Sequence, residues 1–238
     1  MRRALLLVIV AGLVDATGFL ALAGTFVAFM SGNTSAGGAF AGTFDLARAA
    51  RQLFPLPLFV MGIYVGALFV QAAPAPVAYR RYAVVLAVEC GLIALVLAAA
   101  TLSGVHGVVP LEPSIRFFGL ATPLAVAMGL QNAMRMDVRG ASLATTYVTG
   151  TLHVAAQALA RATLLGRRAR GTGPAAPARR EAKTAVQVGL TSLSVWAGFL
   201  VGALVGGVLF ARVGLLALLV PLALLLVVMR DALRDARP

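Results

Sequence analysis

Apolar residues run through this chain in long blocks, and the polar residues gather in the intervals between them. Six blocks stand out, at about residues 4–22, 54–72, 82–101, 116–134, 185–210 and 213–229. A helix rises about 1.5 Å per residue through a hydrocarbon core about 30 Å thick, so a crossing takes about 20 mainly apolar residues. Each block reaches or approaches that length and predicts a membrane-spanning helix. Two weaker segments, about 25–42 and 144–165, are rich in small and hydroxyl-bearing residues. They are expected to be broken or re-entrant, because Ser31-Gly32-Asn33-Thr34 and Gly37-Gly38 join poor helix propensity to side chains that compete for backbone hydrogen bonds. Irregular backbone is tolerated at that depth only where protein or a water-filled cavity satisfies it, so both segments should point inward.

The chain also repeats itself. Gly12-Leu13-Val14-Asp15-Ala16 is answered 117 positions later by Gly129-Leu130-Gln131-Asn132-Ala133. Met30-Ser31-Gly32-Asn33-Thr34 is answered 118 positions on by Val148-Thr149-Gly150-Thr151-Leu152, and Gly62 to Leu68 is answered 136 positions on by Gly198 to Leu204. The order is the same throughout, and one insertion of 18 residues, the length of the basic interval 166–183, accounts for the change of offset. A single membrane domain, 1–238, thus divides into a first repeat over 1–105 and a second over 114–238. Residues 166–183, rich in Arg, Gly and Pro, read as a basic cytoplasmic linker. If the weak segments do not cross, each half has three spans, and an odd number inverts the second half relative to the first, as in many transporters. The expected fold is an all-α polytopic membrane protein of two three-helix halves related as inverted repeats. It has about six full spans plus two short segments. The alternative has eight spans.

Composition agrees with residence in a bilayer. The chain is 61% hydrophobic and 12% charged, where soluble domains carry about 25% charged residues. The net charge of +12 would suggest nucleic acid in a soluble chain, but the arginines sit between apolar blocks and no groove-reading motif accompanies them. Positive residues are retained on the cytoplasmic side during insertion. With six spans and the N-terminus inside, only Arg48, Arg51, Arg116 and Arg212 fall outside, so both termini are expected in the cytoplasm. Met1-Arg2-Arg3 and the apolar run after it imitate a signal peptide, but Asp15 interrupts that run and its pattern recurs later, so cleavage is not expected. Lone Cys90 excludes an internal disulfide. No metal-ligand spacing, nucleophile–base pair or nucleotide motif is present, so neither an enzyme nor a cofactor is expected.

Asp15 lies about twelve residues into the first block, near mid-bilayer, with Asn132 as its counterpart. An acid at that depth either serves function or bonds to the exposed amides of a broken helix. Ser31, Gly32, Asn33 and Thr34 in one half, with Gln131, Asn132, Thr146, Tyr147, Thr149, Gly150 and Thr151 in the other, offer neutral donors and acceptors for a small polar solute or ion. Asp15 and Glu89 are also the candidates for carrying a coupled proton, since acids inside membranes commonly serve as proton relays. The glycines Gly62/Gly66 and Gly198/Gly202 form small-residue faces suited to close helix packing.

Asp15-Ala16-Thr17-Gly18-Phe19, Phe26 to Thr34, Gly129 to Ala133 and Thr145 to Thr151 resemble the motifs of the YoaK-type family of bacterial integral membrane proteins, over about residues 5–229. The resemblance implies a multi-pass protein of the bacterial cytoplasmic membrane with about six spans, and transfers no catalytic residues. The expected function is a transporter or facilitator whose site lies between pseudo-symmetric halves. A non-transporting scaffold or sensor accessory is the alternative. The expected partners are the bilayer and a small polar solute or ion, with oligomerisation open.

Overall fold

The computed structural model describes residues 1–71, 75–104, 107–109, 114–134, 136–138, 141–143, 148–169 and 175–235. In chain order the helices are α1 (Arg2–Ala21), α2 (Met30–Gly42), α3 (Leu46–Leu53), α4 (Pro55–Gln71), α5 (Ala75–Leu102), α6 (Ile115–Ala133), α7 (Val148–Arg168), α8 (Ala175–Val213) and α9 (Leu219–Asp235). The six apolar blocks fall on α1, α4, α5, α6, α8 and α9. Between α6 and α7 lies a feature the sequence pattern did not suggest, a short antiparallel ladder of β1 (Met136–Val138) and β2 (Ala141–Leu143). A 3-10 turn, Gly214–Leu218, joins α8 to α9; it opens on Gly214 at φ +60°, which glycine adopts without the Cβ clash of other residues.

Among the described residues four stretches are long and apolar enough to cross a membrane, Arg2–Ala21, Leu46–Gln71, Arg80–Leu102 and Ala176–Arg234, and α6, expected to span, is not one of them. The last holds both α8 and α9. Val60, Tyr64, Val65 and Leu68 on α4 and Val201, Leu204 and Val208 on α8 are exposed, as a surface bathed in lipid requires and a soluble surface avoids. The core is formed by Leu7, Val10 and Val14 of α1, Ile93 and Val96 of α5, Phe117, Leu124 and Met128 of α6, and Leu225 of α9.

Glycine sets the tightest interfaces. A Cβ added at Gly62 on α4 would lie 2.5 Å from the Val126 carbonyl oxygen on α6, and one at Gly66 would lie 2.8 Å from the Ala133 Cβ. On the other side, a Cβ at Gly202 on α8 would strike the Ile9 carbonyl of α1, and one at Gly206 would lie 2.7 Å from the Leu13 carbonyl oxygen. Ile9 and Val126 are 117 positions apart, while Gly62 and Gly202 are 140 apart. The sequence pairing of Gly62 with Gly198 is therefore displaced by one helical turn from the contacts. Gly198, Gly202 and Gly206 recur every fourth residue, so a match based on glycine slides by a turn without losing identity.

These contacts also fix helix directions. They advance together along α1 and α8, and together along α6 and α4, so each pair runs parallel. α1 and α6 run oppositely. Gln131, near the end of α6, donates from Nε2 to the Leu7 carbonyl near the start of α1 at 2.6 Å. Val109, ahead of α6, donates its amide to the Ala21 carbonyl at the end of α1 at 2.7 Å.

Three expectations differ from what is observed. Ser31-Gly32-Asn33-Thr34 and Gly37-Gly38 do not break the first weak segment: they lie inside the continuous helix α2, and the break comes ahead of it, at residues 22–29, where the side chains of Asp15 and Asn33 bond the free backbone groups. The described part of the second weak segment lies in a continuous helix, Val148–Arg168, packed antiparallel on the first part of α8, as Gly189 against Leu159 and Ala155 and Glu181 against Arg161 together show. Its glycine stands at the start of α7, where the hydrogen-bonded ladder is not interrupted. Of the described part of the interval 166–183, residues 166–168 belong to α7 and residues 175–183 to α8. Arginine and alanine propagate helix well, and proline is tolerated in a first turn, where Pro177 stands.

Candidate functional site

The first polar segment is built around Asp15. α1 ends at Ala21, and the chain reverses through Ala23 and Gly24, both at positive φ, with the Gly24 amide donating to the Phe19 carbonyl at 2.8 Å. This return brings residues 27–29 back alongside α1. Asp15 Oδ1 there accepts amide hydrogens from Val27 at 2.9 Å, Ala28 at 2.7 Å and Phe29 at 3.4 Å. These amides lead into α2, whose own N-cap, Phe29, offers no side-chain acceptor. Asp15 caps that helix from outside, and its charge sits at the positive end of the α2 dipole. Of the two roles open to it from sequence, the bonding observed is the one with exposed amides of a broken segment.

Asn33 completes the same structure. It is wholly buried; its Nδ2 donates to the Phe26 carbonyl at 2.7 Å and its Oδ1 accepts the Phe26 amide at 2.9 Å. Both ends of the side chain are thereby engaged with one residue's backbone. Gly32 is small because the Phe29 ring covers it and Phe26 stands close by; those two rings meet edge-on at 5.1 Å. Ser31 and Thr34 are exposed, and the Thr34 hydroxyl donates back to the Met30 carbonyl at 2.8 Å. Of the four, Asn33 and Thr34 thus have their side chains bonded to backbone.

Arg51 and Gln52, which the sequence pattern did not single out as site residues, close this end. Arg51 is 2% exposed; its Nη2 donates to the Leu22 carbonyl at 2.7 Å, and its guanidinium lies 4.2 Å from the Phe117 ring centroid. Gln52 Nε2 donates to the Gly24 carbonyl at 3.1 Å. Carbonyls at a helix C-terminus lack intrahelical partners, and a cation there complements the dipole. The available signal was Asp45, which caps α3 by accepting the Arg48 amide at 3.1 Å and predicts a short helix ending in Arg51 and Gln52.

In the second half Gln131 is wholly buried, with Nε2 on Leu7 and Oε1 lacking a partner among the described residues. Asn132 is half-buried, and its Oδ1 is buried without a partner there. Gly150 and Thr151 are buried, with the Thr151 hydroxyl donating to the Val148 carbonyl at 2.7 Å, and Thr149 is exposed. Thr146 and Tyr147 lie outside the described residues. Among the described residues no hydrogen bond joins Asp15 to Asn132. Leu7, which marks the depth of Gln131, is eight residues from Asp15 along α1, a separation of about 12 Å.

Glu89 lies between these two levels. It is the tenth residue of the Arg80–Leu102 stretch, about 14 Å from its start, and its neighbours Val88 and Leu92 share a groove with Gly62 and Val126. Its side chain is wholly buried, and neither carboxyl oxygen has a partner among the described residues. The groove beside it, about 450 Å³ between α4, α5 and α6, is lined by apolar residues alone and offers nothing to a polar solute. Among the described residues no three His, Cys, Asp or Glu side chains come together as metal ligands would.

Comparison with known proteins follows the same lines as the motifs. The family described as "Protein of unknown function (DUF1275)" matches residues 3–230. The UPF0700 transmembrane protein RA0705 of Rhizobium meliloti (strain 1021) is 32% identical over 211 residues, which cover 89% of this chain and 76% of that protein. No solved structure matches the chain. A family match over nearly the whole length, a transmembrane relative and helices of spanning length together place this chain in the DUF1275 family of multi-pass membrane proteins.

Proposed function

We propose that the protein is a carrier or facilitator for a small polar solute or ion, made of two halves of opposite sense. The observation that carries this reading is Glu89, a wholly buried carboxyl near mid-span whose two oxygens have no partner among the described residues. A buried polar group left unbonded costs about 1–3 kcal/mol, and more when charged. A group of purely structural use would be bonded, as Asp15 is. An acid held in this way suits transient pairing with a proton, a cation or a solute donor. Gln131 Oε1 and Asn132 Oδ1, on α6, are further acceptors without a partner among the described residues.

Helix directions support the opposed halves. α1 runs with α8 and against α6, and α6 runs with α4. α5 returns against α4, since Arg81 Nη1 donates to the Phe69 carbonyl. α9 returns to the start of α1, where Arg3 Nη2 donates to the Asp231 carbonyl. On this reading α1, α4 and α5 cross in alternating directions, and α6, α8 and α9 cross in the three opposite ones. Residues 22–53 enter and leave on one side as the re-entrant piece. Arg2, Arg3, Arg80, Arg81, Arg179, Arg180, Arg230 and Arg234 then share one end, and Arg48, Arg51, Arg116 and Arg212 the other. Retention of positive charge inside makes the first end, with both termini, cytoplasmic.

The test is a thermal-shift screen of purified protein against ions and small metabolites, because a ligand that binds only the folded state at 100 times its Kd stabilises by about 2.7 kcal/mol. Glu89→Gln is expected to abolish the shift while leaving the unliganded melting temperature the same or higher. A shift unchanged in Glu89→Gln, or a loss of folded protein without any ligand effect, sinks the assignment of Glu89.

A further inference from the structure

We propose that the groove between α7 and the first part of α8 is a binding site for the phosphate-bearing headgroups of anionic phospholipids. The groove measures about 600 Å³, and its polar lining comes from His153, Gln157, Arg161, Arg180, Glu181 and Thr184. Arg161 pairs with Glu181 at 3.3 Å, and both side chains are more than half exposed. Arg180 has no acidic partner among the described residues, so the groove holds two guanidinium groups against one carboxylate. The same helices carry four further cations, Arg167 and Arg168 at the end of α7 and Arg179 and Lys183 near the start of α8. Guanidinium groups match phosphate oxygens in pairs, which favours this anion over a simple halide.

Depth identifies the source of the phosphate. Between Lys183 and Arg212, α8 carries no charged residue. At 1.5 Å per residue that interval is about 42 Å long, which equals the bilayer thickness of about 40–45 Å with headgroups included. With Arg212 at one surface, Lys183 and the groove lie in the headgroup layer of the other. α7 agrees, having no Asp, Glu, Lys or Arg from Val148 to Ala160, so that its first guanidinium is that of Arg161. Exposed Leu152, Val154, Val186 and Leu190 flank the groove and can lie along acyl chains, a contact that free phosphate does not use. Anionic lipids concentrate in the cytoplasmic leaflet, and basic pockets between helices hold their headgroups.

The experiment compares the full chain in nanodiscs of phosphatidylcholine with graded phosphatidylglycerol, following thermal unfolding. Phosphatidylglycerol is expected to raise the midpoint of the wild type, and the Arg161→Gln/Arg180→Gln pair should need at least about tenfold more of it for the same rise. Arg48→Gln, at the opposite end, should respond as wild type does. Glu181→Gln, which releases Arg161, should respond at lower phosphatidylglycerol and keeps the test decisive if the double variant folds poorly. The proposal is overturned if neutral and anionic lipid protect equally, if Glu181→Gln and the arginine variants respond as wild type does, or if inorganic phosphate in phosphatidylcholine discs gives the same protection.

Discussion

Replacing Asp15 by Ala removes the acceptor that three amides ahead of α2 share. Two of them, Val27 at 2.9 Å and Ala28 at 2.7 Å, make good bonds and belong to residues 0% and 3% exposed, so water cannot take over. The third, Phe29 at 3.4 Å, adds little. Each orphaned buried donor costs about 1–3 kcal/mol, so the variant should lose about 2–6 kcal/mol. At about 2–4 °C per kcal/mol for a chain of this size, the melting temperature falls by on the order of 10 °C. Asp15→Asn keeps one neutral oxygen at the same place, the residue type found at position 132, and should lose about 1–2 kcal/mol. Thermal unfolding in detergent gives the magnitudes, and amide exchange locates them: Val27 and Ala28 should exchange much faster in Asp15→Ala. The capping role is refuted if Asp15→Ala melts within about 2 °C of wild type with the same exchange at those two amides.

Gly62→Ala and Gly202→Ala should each cost about 1–3 kcal/mol or more in thermal unfolding, because a methyl there meets backbone that cannot move aside; Gly38→Ala, where nothing among the described residues lies within 4 Å, should stabilise by up to about 1 kcal/mol. Arg51→Ala should cost about 2–4 kcal/mol through its bond to Leu22 and its stacking on Phe117, and Arg51→Lys should recover less than half, since an ammonium cannot stack in the same way. Asp45, held below the ordinary carboxylate range first by the Arg48 amide and then by the Arg48 side chain, stabilises the fold fully above about pH 4 and loses that effect as pH falls through its lowered value. Wild type should therefore out-melt Asp45→Asn near pH 6 and converge with it on acidification; a gap independent of pH contradicts the assignment.

Much of the membrane body was legible because a bilayer imposes a length and a polarity that composition alone reveals. The positions of α1, α4, α5, α6, α8 and α9 follow from that constraint. The glycine faces were legible as packing, but their register was not: Gly198, Gly202 and Gly206 are identical neighbours at four-residue spacing, and only the facing carbonyls of Ile9 and Leu13 select between them. The polar motif around Ser31 to Thr34 was visible as unusual, yet its bonding was hidden, since nothing in the sequence shows that Asn33 returns to Phe26 or that Asp15 reaches three amides twelve to fourteen residues away. Arg51 resembled any surface arginine because its burial depends on the end of α1 and the Phe117 ring, both distant in sequence. The α7–α8 hairpin was obscured by its glycines and prolines, which lie near helix ends.

The proposed carrier requires the two halves to cross the bilayer in opposite senses, and sidedness measures that directly. In a Cys90→Ala background, single cysteines at Phe44, Leu102 and Arg180 would be labelled with a membrane-impermeant maleimide in intact spheroplasts and again after permeabilisation; positions 44 and 102 are 88% and 89% exposed. Opposed halves predict that Phe44→Cys and Leu102→Cys react from outside, and that Arg180→Cys reacts only once the membrane is opened. Reaction of all three from the same side would contradict the inverted arrangement and agree with eight full crossings.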